Sequence, residues 1–220
     1  MNDDEVFENI QMAKASLILS LRQHGIVDKA ILRAFEIVPH EAFIPDDYLI
    51  HAYRDKTLPL IHSQSISSPT HLADLLVPLE PEGAEKILEI GTGSGYCSAL
   101  LACMAKRVFT LERIGDLAKF AEKNWSKAGT NSVVGFNLDG LLGLGGHQPF
   151  CRILLGGSVK EISELLLDQL NDGGILVAAV GEPDQRQIIT RVERIDDDYL
   201  YSEHGLIRLS SLVSGKYRSQ

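Results

Sequence analysis

Apolar and polar positions follow a helical period in the first part of the chain. Between residues 5 and 24, apolar positions recur at helical spacing and predict an amphipathic helix. A second helix is predicted from an N-cap at Asp28 to a stop at Pro39. A third is predicted after Ser68, a natural N-cap, because Pro69 suits the first helical position.

From Ile87 onward, short apolar runs alternate with helical patterns. Strands are predicted over 87–90, 108–112, 132–136, 150–155 and 175–180, and helices over 97–105, 115–128 and 159–170. Beyond Pro183, segments 187–195 and 199–212 alternate like strands and predict an antiparallel edge hairpin. Strict alternation of strand and helix is typical of a doubly wound sheet. The predicted fold class is therefore α/β, with a mostly parallel, seven-stranded, Rossmann-like sheet, an antiparallel edge hairpin and N-terminal helices.

Composition excludes several classes of protein. The 220 residues are 45% hydrophobic and 23% charged, which is ordinary for a globular domain. The net charge of -9 argues against a nucleic-acid partner, because phosphate binding draws mainly on Lys and Arg. The three cysteines have no Cys-x-x-Cys spacing and predict reduced thiols in a cytoplasmic protein, with no metal site. No apolar run is long enough to cross a membrane.

A glycine-rich loop follows the first strand of the predicted sheet. The three glycines of residues 91–95 let the backbone turn sharply and approach a ligand closely. Glu112 ends the next strand and suits a carboxylate that accepts hydrogen bonds from ribose hydroxyls. Asp139 follows the third strand and could receive an adenine amino group, although an Asp-Gly pair also fits an ordinary turn. The carboxyl ends of parallel strands meet at one edge of the sheet, so these groups are expected to converge.

The glycine spacing disfavours a nicotinamide-dependent oxidoreductase. Such enzymes need Gly-x-Gly-x-x-Gly, whereas here the third glycine comes one residue early and Tyr96 occupies its place. The loop alone also fits a turn between strand and helix that binds no ligand.

Ser67 is a candidate for the acceptor side of a site. If Ser68 caps the third helix, the Ser67 hydroxyl lies free beside the helix's positive end, where unpaired N–H groups would stabilise a carboxylate. The residues alone favour the simpler interpretation that Ser67 only helps to begin the helix.

Residues 89–95, Glu-Ile-Gly-Thr-Gly-Ser-Gly, resemble motif I of the class I S-adenosylmethionine-dependent methyltransferases. An Asn-Pro-Pro-Tyr-like element does not follow the fourth strand, so the enzymes that methylate amino groups of nucleic acids are not favoured. Segments 38–45, 64–69 and 87–96, in that order, resemble the protein-L-isoaspartate (D-aspartate) O-methyltransferase family. The resemblance covers roughly residues 28–182.

This resemblance implies a cytoplasmic enzyme that transfers a methyl group from S-adenosylmethionine to the carboxylate of L-isoaspartyl or D-aspartyl residues in damaged proteins or peptides. It places Ser67 in the active site, because the serine of the family's Thr-Ile-Ser element lies there. The expected cofactor-binding residues are Ile66, Glu89, Gly91, Thr92, Gly93, Gly95, Glu112, Arg113, Asp139 and Gly140. Residues 1–80 are expected to form a substrate-side segment on a cofactor-binding core formed by residues 81–220.

The chain departs from the family pattern at Leu138, at Cys151-Arg152 and at Gly156–Ser158. These positions are expected near the acceptor side or the sheet edge, which leaves two alternatives open. The protein would bind the cofactor without catalysis, or it would methylate another carboxylate. A carboxylate is already ionised at neutral pH and needs no general base. His62, His71 and Cys97 are therefore interpreted as packing or solvated residues.

Overall fold

The computed structural model describes residues 3–215 and 217. The helices are α1 (Asp3–Gln23), α2 (Lys29–Ile37), α3 (Pro69–Leu79), α4 (Tyr96–Ala102), α5 (Gly115–Ala128) and α6 (Glu164–Leu167). The strands are β1 (Leu58–Pro59), β2 (Ser65–Ile66), β3 (Ile87–Ile90), β4 (Val108–Leu111), β5 (Val133–Phe136), β6 (Phe150–Val159), β7 (Leu170–Val180), β8 (Gln187–Ile195) and β9 (Asp198–Ile207). Short 3₁₀ helices occupy His40–Phe43, Asp46–His51, Gly140–Leu142 and Gly145–His147.

Seven strands form one sheet in the order β5-β4-β3-β6-β7-β8-β9. The pairs from β5 to β7 are parallel, and β8 and β9 add an antiparallel hairpin at the edge. The predicted fold class is confirmed. After β3 the chain adds β4 and β5 on one side of it, and then β6 and β7 on the other side. The strand order therefore reverses between β3 and β6. Ligands of doubly wound sheets bind at the carboxyl ends of the strands at such a point.

The N-terminal helices and the sheet share one hydrophobic core. Leu21 of α1, Phe35 of α2 and Leu76 of α3 pack in the same buried cluster as Ile87 of β3 and Val177 of β7. The other face of the sheet is covered by α6 and neighbouring loops. All four residues of β3 are buried, as expected for a parallel strand covered on both faces. No helix within the described residues is both long and apolar enough to cross a bilayer.

The helix predicted over 159–170 is mostly wrong, because only Glu164–Leu167 is helical and β6 continues to Val159. Tertiary pairing explains the longer strand. Ser158 pairs with Ala179 of β7 on one side and donates its backbone N–H to the Ser210 carbonyl, at 2.9 Å, on the other. For the same reason β9 ends at Ile207 rather than at residue 212. The chain beyond it leaves the hairpin to run beside β6.

A buried histidine links the N-terminal part of the chain to α4. His40 is fully buried, and its ring stacks on Tyr96 with 3.9 Å between ring centroids. Its Nδ1 is hydrogen-bonded to the carbonyl of Ala52. Burial lowers the pKa of His40 from 6.5 to about 4, which the hydrogen bond to Ala52 only partly offsets.

His40 should therefore make stability depend on pH. Between pH 6.5 and about 4 the unfolded chain protonates this ring and the folded chain does not, so stability falls as the pH falls, by about 3 kcal/mol in total. We expect the free energy of unfolding, measured by urea titration, to decline more steeply over this window in the wild type than in His40→Gln. Parallel declines in the two proteins would contradict the assignment.

Candidate active site

The glycine loop begins where β3 ends. Gly91, Gly93 and Gly95 have φ angles of 94°, 55° and 85°, which side-chain-bearing residues rarely adopt. A Cβ atom at Gly95 would lie 2.6 Å from Trp125 Nε1, whereas one at Gly93 would meet open space. The loop therefore packs tightly against α5 at Gly95 and leaves room for a ligand at Gly93.

Two side chains of α5 hold this loop. Asn124 Nδ2 donates a hydrogen bond to the Ser94 carbonyl, and Trp125 Nε1 donates one to the Gly95 carbonyl, each at 2.9 Å. Both side chains are buried. The loop conformation is thus fixed by tertiary contacts as well as by its glycines.

Glu89 lies beneath the loop and not in the cleft above it. It is fully buried and accepts hydrogen bonds from the hydroxyls of Ser98 and Thr110, the latter at 2.6 Å. The Thr110 hydroxyl also lies 2.6 Å from that of Thr92, which is buried too. Burial raises the pKa of Glu89, although its hydroxyl partners oppose the shift. Glu89 and Thr92 therefore support the loop from below.

Glu112 joins the loop to the start of α5. One carboxylate oxygen accepts a hydrogen bond from Gly93 N at 3.0 Å, and the other accepts one from Ile114 N at 2.9 Å. An ionised carboxylate has about four acceptor positions, so each oxygen still has one available for a ligand. The side chain lines the cleft above the loop.

Asp139 is held by the C-terminal part of the chain. Its carboxylate accepts hydrogen bonds from Leu141 N, at 3.1 Å, and from Gly215 N. Arg113 Nε donates to the Gly215 carbonyl at 3.0 Å, and its guanidinium lies 5.6 Å from the ring centroid of Tyr217. The last described residues thus extend across one end of the cleft.

These groups surround one cleft with a volume of about 120 Å³. The predicted residues that line it are Ser67, Gly91, Gly93, Glu112, Arg113, Asp139 and Gly140. The predicted residues that do not line it are Ile66, Glu89, Thr92 and Gly95. Ile66 packs in the core with Leu58, Leu60 and Ile114. The open space at Gly93 and the acceptor positions of Glu112 and Asp139 suit a ligand that carries hydroxyl and amino groups.

Ser67 stands between this cleft and a second cavity. The second cavity, here called the acceptor cavity, has a volume of about 270 Å³. It shares Ser65, Ser67, Ser210 and Ser211 with the cleft. A serine hydroxyl can donate one hydrogen bond to a group in such a cavity, but the hydroxyl of Ser211 already lies 3.1 Å from Ser158 Oγ. His71, which we interpreted as a packing or solvated residue, also lines the acceptor cavity.

The helix start next to Ser67 differs from expectation. Ser68 caps α3 as predicted, since its hydroxyl accepts from His71 N at 3.4 Å. The N–H of Thr70, however, is taken by the Asp55 carboxylate at 2.9 Å. Pro69 has no N–H, so the first three positions of α3 offer no unpaired donor to a ligand. A ligand here would meet the Ser67 hydroxyl and not the helix amides.

Gly156–Ser158 were expected near the acceptor side or the sheet edge, but no residue on the β6 side was predicted as part of the site. Gly156 and Gly157 line the cleft, and a Cβ atom at Gly156 would lie 2.9 Å from the Gly91 carbonyl oxygen. Ser210 and Ser211 arrive from the C-terminal part of the chain. A Gly-Gly pair at the carboxyl end of a parallel strand was a usable signal, whereas nothing local predicts the two serines.

The comparisons with known proteins decide the family. A family model described as protein-L-isoaspartate(D-aspartate) O-methyltransferase (PCMT) matches residues 12–211. The chain belongs to this family. It is 37% identical over 202 residues to a protein-L-isoaspartate O-methyltransferase of Azorhizobium caulinodans, covering 92% of this chain and 93% of the relative. A protein of the same name from Methanospirillum hungatei is 37% identical over 193 residues, covering 88% of this chain and 89% of the relative.

Solved structures support the same fold. A protein-L-isoaspartate O-methyltransferase structure aligns with a TM-score of 0.82 and 23% identity, covering 92% of this chain and 66% of that longer chain. A putative protein-L-isoaspartate O-methyltransferase from Plasmodium falciparum, solved in complex with S-adenosyl-L-homocysteine, aligns with a TM-score of 0.79 and 21% identity. That alignment covers 91% of this chain and 98% of the other. The chain therefore has the Rossmann-like methyltransferase fold of its family.

One departure from the PCMT pattern is far from the cleft. Arg152 pairs with Ile87 at the amino ends of β6 and β3, whereas Ile90 and Leu155 pair near the cleft. The Arg152 guanidinium donates to the carbonyls of Glu80 and Cys151, at 2.9 and 2.8 Å. The expectation that Cys151-Arg152 lies near the acceptor side or the sheet edge is wrong, since β6 is a central strand.

Gly95→Ala should disrupt the glycine loop, because the methyl group would overlap Trp125 at an unfavourable φ. We expect a loss of about 2 kcal/mol or more in unfolding free energy, and weaker binding of S-adenosylmethionine by calorimetry. Gly129→Ala is the matched control. Its φ is 68° and no atom lies within 4 Å of the added Cβ, so it should cost about 1 kcal/mol and leave cofactor binding intact. Equal effects of the two variants would contradict the role of the Trp125 contact.

Proposed function

We infer that this protein transfers the methyl group of S-adenosylmethionine to the carboxylate of L-isoaspartyl or D-aspartyl residues in damaged proteins or peptides. Membership in the PCMT family supports this function. The observation that carries it is the position of Ser67, which lines both the cleft and the acceptor cavity. We also propose a cytoplasmic location, supported by the free thiols of Cys97, Cys103 and Cys151.

The cleft suits the cofactor at several points. Glu112 would accept hydrogen bonds from the ribose hydroxyls through the acceptor positions that Gly93 and Ile114 leave available. Asp139 would accept one from the adenine amino group in the same way. When bound, the cofactor supplies an electrophilic methyl group on a positively charged sulfur.

The other residues that were predicted to bind the cofactor would act in two ways. Gly91, Gly140 and Arg113 would contact it as parts of the cleft wall. Four residues would act indirectly, because they support the loop or the adjacent core: Ile66, Glu89, Thr92 and Gly95.

The acceptor needs to be aligned rather than activated. Its carboxylate has an ordinary pKa near 4 and is ionised at neutral pH, so no base has to remove a proton. The Ser67 hydroxyl would donate a hydrogen bond to one carboxylate oxygen and leave the other free to attack the methyl carbon in line with the breaking carbon–sulfur bond. Ser65, Ser210 and Ser211 surround the same junction and would help to orient the acceptor and exclude water.

Neutral donors are the appropriate groups for this step. A negative acceptor and a positive donor become neutral products, so charge disappears as the transition state forms. A strong cation on the acceptor oxygen would stabilise the ground state more than the transition state and slow the reaction. Hydroxyl groups hold the acceptor with a smaller penalty of this kind.

Transfer to an isoaspartyl peptide tests the function directly. We expect the protein, incubated with labelled S-adenosylmethionine, to form a base-labile methyl ester on an isoaspartyl peptide and none on its normal aspartyl twin. Cofactor binding without transfer to either peptide would indicate a non-catalytic binding protein. Transfer only to another carboxylate would indicate a different acceptor, and both results would refute the proposal.

Two variants should distinguish the acceptor side of the site from its cofactor side. Ser67→Ala removes the acceptor-side donor and should lower kcat about 10- to 100-fold with little change in cofactor affinity. Glu112→Ala should weaken cofactor binding by about tenfold or more, because it removes the ribose acceptors and frees the Gly93 amide. Ser68→Ala is the control for Ser67, since it removes the α3 cap at a cost of about 1 kcal/mol but is not a lining residue of either cavity. The opposite ranking of kcat and affinity effects would count against these roles.

A further inference from the structure

A third cavity, here called the outer groove, continues from the acceptor cavity. It has a volume of about 610 Å³ and is lined by His71, Asp184, Gln185, Arg186, Leu206 and Arg208, among others. It shares His71, Asp184 and Arg208 with the acceptor cavity, and none of its lining residues with the cofactor cleft. A peptide with its acceptor residue beside Ser67 therefore has a path into this groove.

Two arginines line the groove. Arg186 directly precedes Gln187 of β8, and Arg208 directly follows Ile207 of β9, which pairs with Gln187. Both are exposed, and in the described part of the chain neither guanidinium forms an ion pair or a hydrogen bond. Two positive charges in one groove repel each other. An anion bound between them would relieve that repulsion.

The groove is held in a defined shape by a buried side chain. Gln187 is fully buried, and its Oε1 accepts a hydrogen bond from Leu209 N at 3.0 Å. Its Nε2 donates to the Glu182 carbonyl at 3.3 Å. Gln187 thus ties the turn that precedes Arg186 to the segment that carries Arg208, which reduces the ordering needed on binding.

The charge of the groove is opposite to that of the whole protein. The chain carries a net charge of -9, but the groove contains two arginines against one acid, Asp184. Glu182, next to this turn, forms an exposed ion pair with Lys160 at 2.8 Å. A local positive site would let an acidic protein bind an acidic peptide despite long-range repulsion.

We propose that Arg186 and Arg208 bind a carboxylate side chain of a residue flanking the isoaspartyl acceptor, so that this protein prefers acidic damaged peptides. The acceptor carboxylate itself stays with the serine hydroxyls, because a guanidinium on it would oppose the loss of charge in the transition state. A flanking carboxylate keeps its charge throughout the reaction and carries no such penalty. This inference rests on the proposed function and adds the class of peptide to it.

Kinetics with three isoaspartyl peptides of equal length test the proposal, the flanking positions being glutamate, glutamine or lysine. We expect the wild type to show a kcat/KM about tenfold higher for the glutamate peptide than for the glutamine peptide, mainly through KM, and a smaller preference at high salt. The double variant Arg186→Gln/Arg208→Gln should lose this preference, and Arg186→Glu should shift it toward the lysine peptide. Arg22→Gln, which removes an exposed positive charge on α1, should retain it.

The outcomes distinguish the role of the two arginines from the proposed function. Equal kcat/KM for the three peptides, or a preference that survives in the double variant, would overturn the role of the arginines and leave the proposed function standing. Methylation of none of the peptides by the wild type would overturn the proposed function, and this inference with it.

Discussion

The buried carboxyl group of Glu89 joins the three elements that shape the cofactor cleft. Through the hydroxyls of Ser98 and Thr110 it links β3 to α4 and β4, and Thr110 continues the chain of hydroxyls to Thr92 in the glycine loop. Losing this group would leave buried donors unpaired, at a cost of about 1–3 kcal/mol each. The loop can therefore present Gly93 to the cleft because the layer beneath it is held in place.

The proposed function depends on how three cavities follow one another. The cleft provides carboxylates for a ligand with hydroxyl and amino groups, the junction at Ser67 provides neutral hydroxyls, and the outer groove provides Arg186 and Arg208. This sequence of charges matches the chemistry, since the reacting groups lose their charge and should meet neutral donors. Arg208 lines both the acceptor cavity and the outer groove, whereas Arg186 lines only the outer groove, so the proposed charged recognition extends outward from the junction.

Part of the site could be predicted because it depends on local patterns. The glycines at 91–95 and the carboxylates of Glu112 and Asp139 each follow a strand, and parallel strands bring their carboxyl ends together. The amide donors expected at the start of α3 are instead occupied, because Asp55, fifteen positions away, takes the Thr70 N–H. Such a contact depends on how the loop before α3 folds back, which no local pattern reveals.

The sequence by itself determined the fold class and the cofactor edge of the sheet, since strand alternation and glycine spacing are local properties, whereas Ser67 was singled out only by the resemblance to the family. Only the tertiary structure decided the acceptor side. The chain after β9 leaves the hairpin because Ser158 in β6 pairs with it, and this brings Ser210 and Ser211 to the junction at Ser67. It also placed Glu89 under the loop rather than in the cleft. Both results depend on contacts between segments distant in sequence, whose positions are set only when the sheet forms.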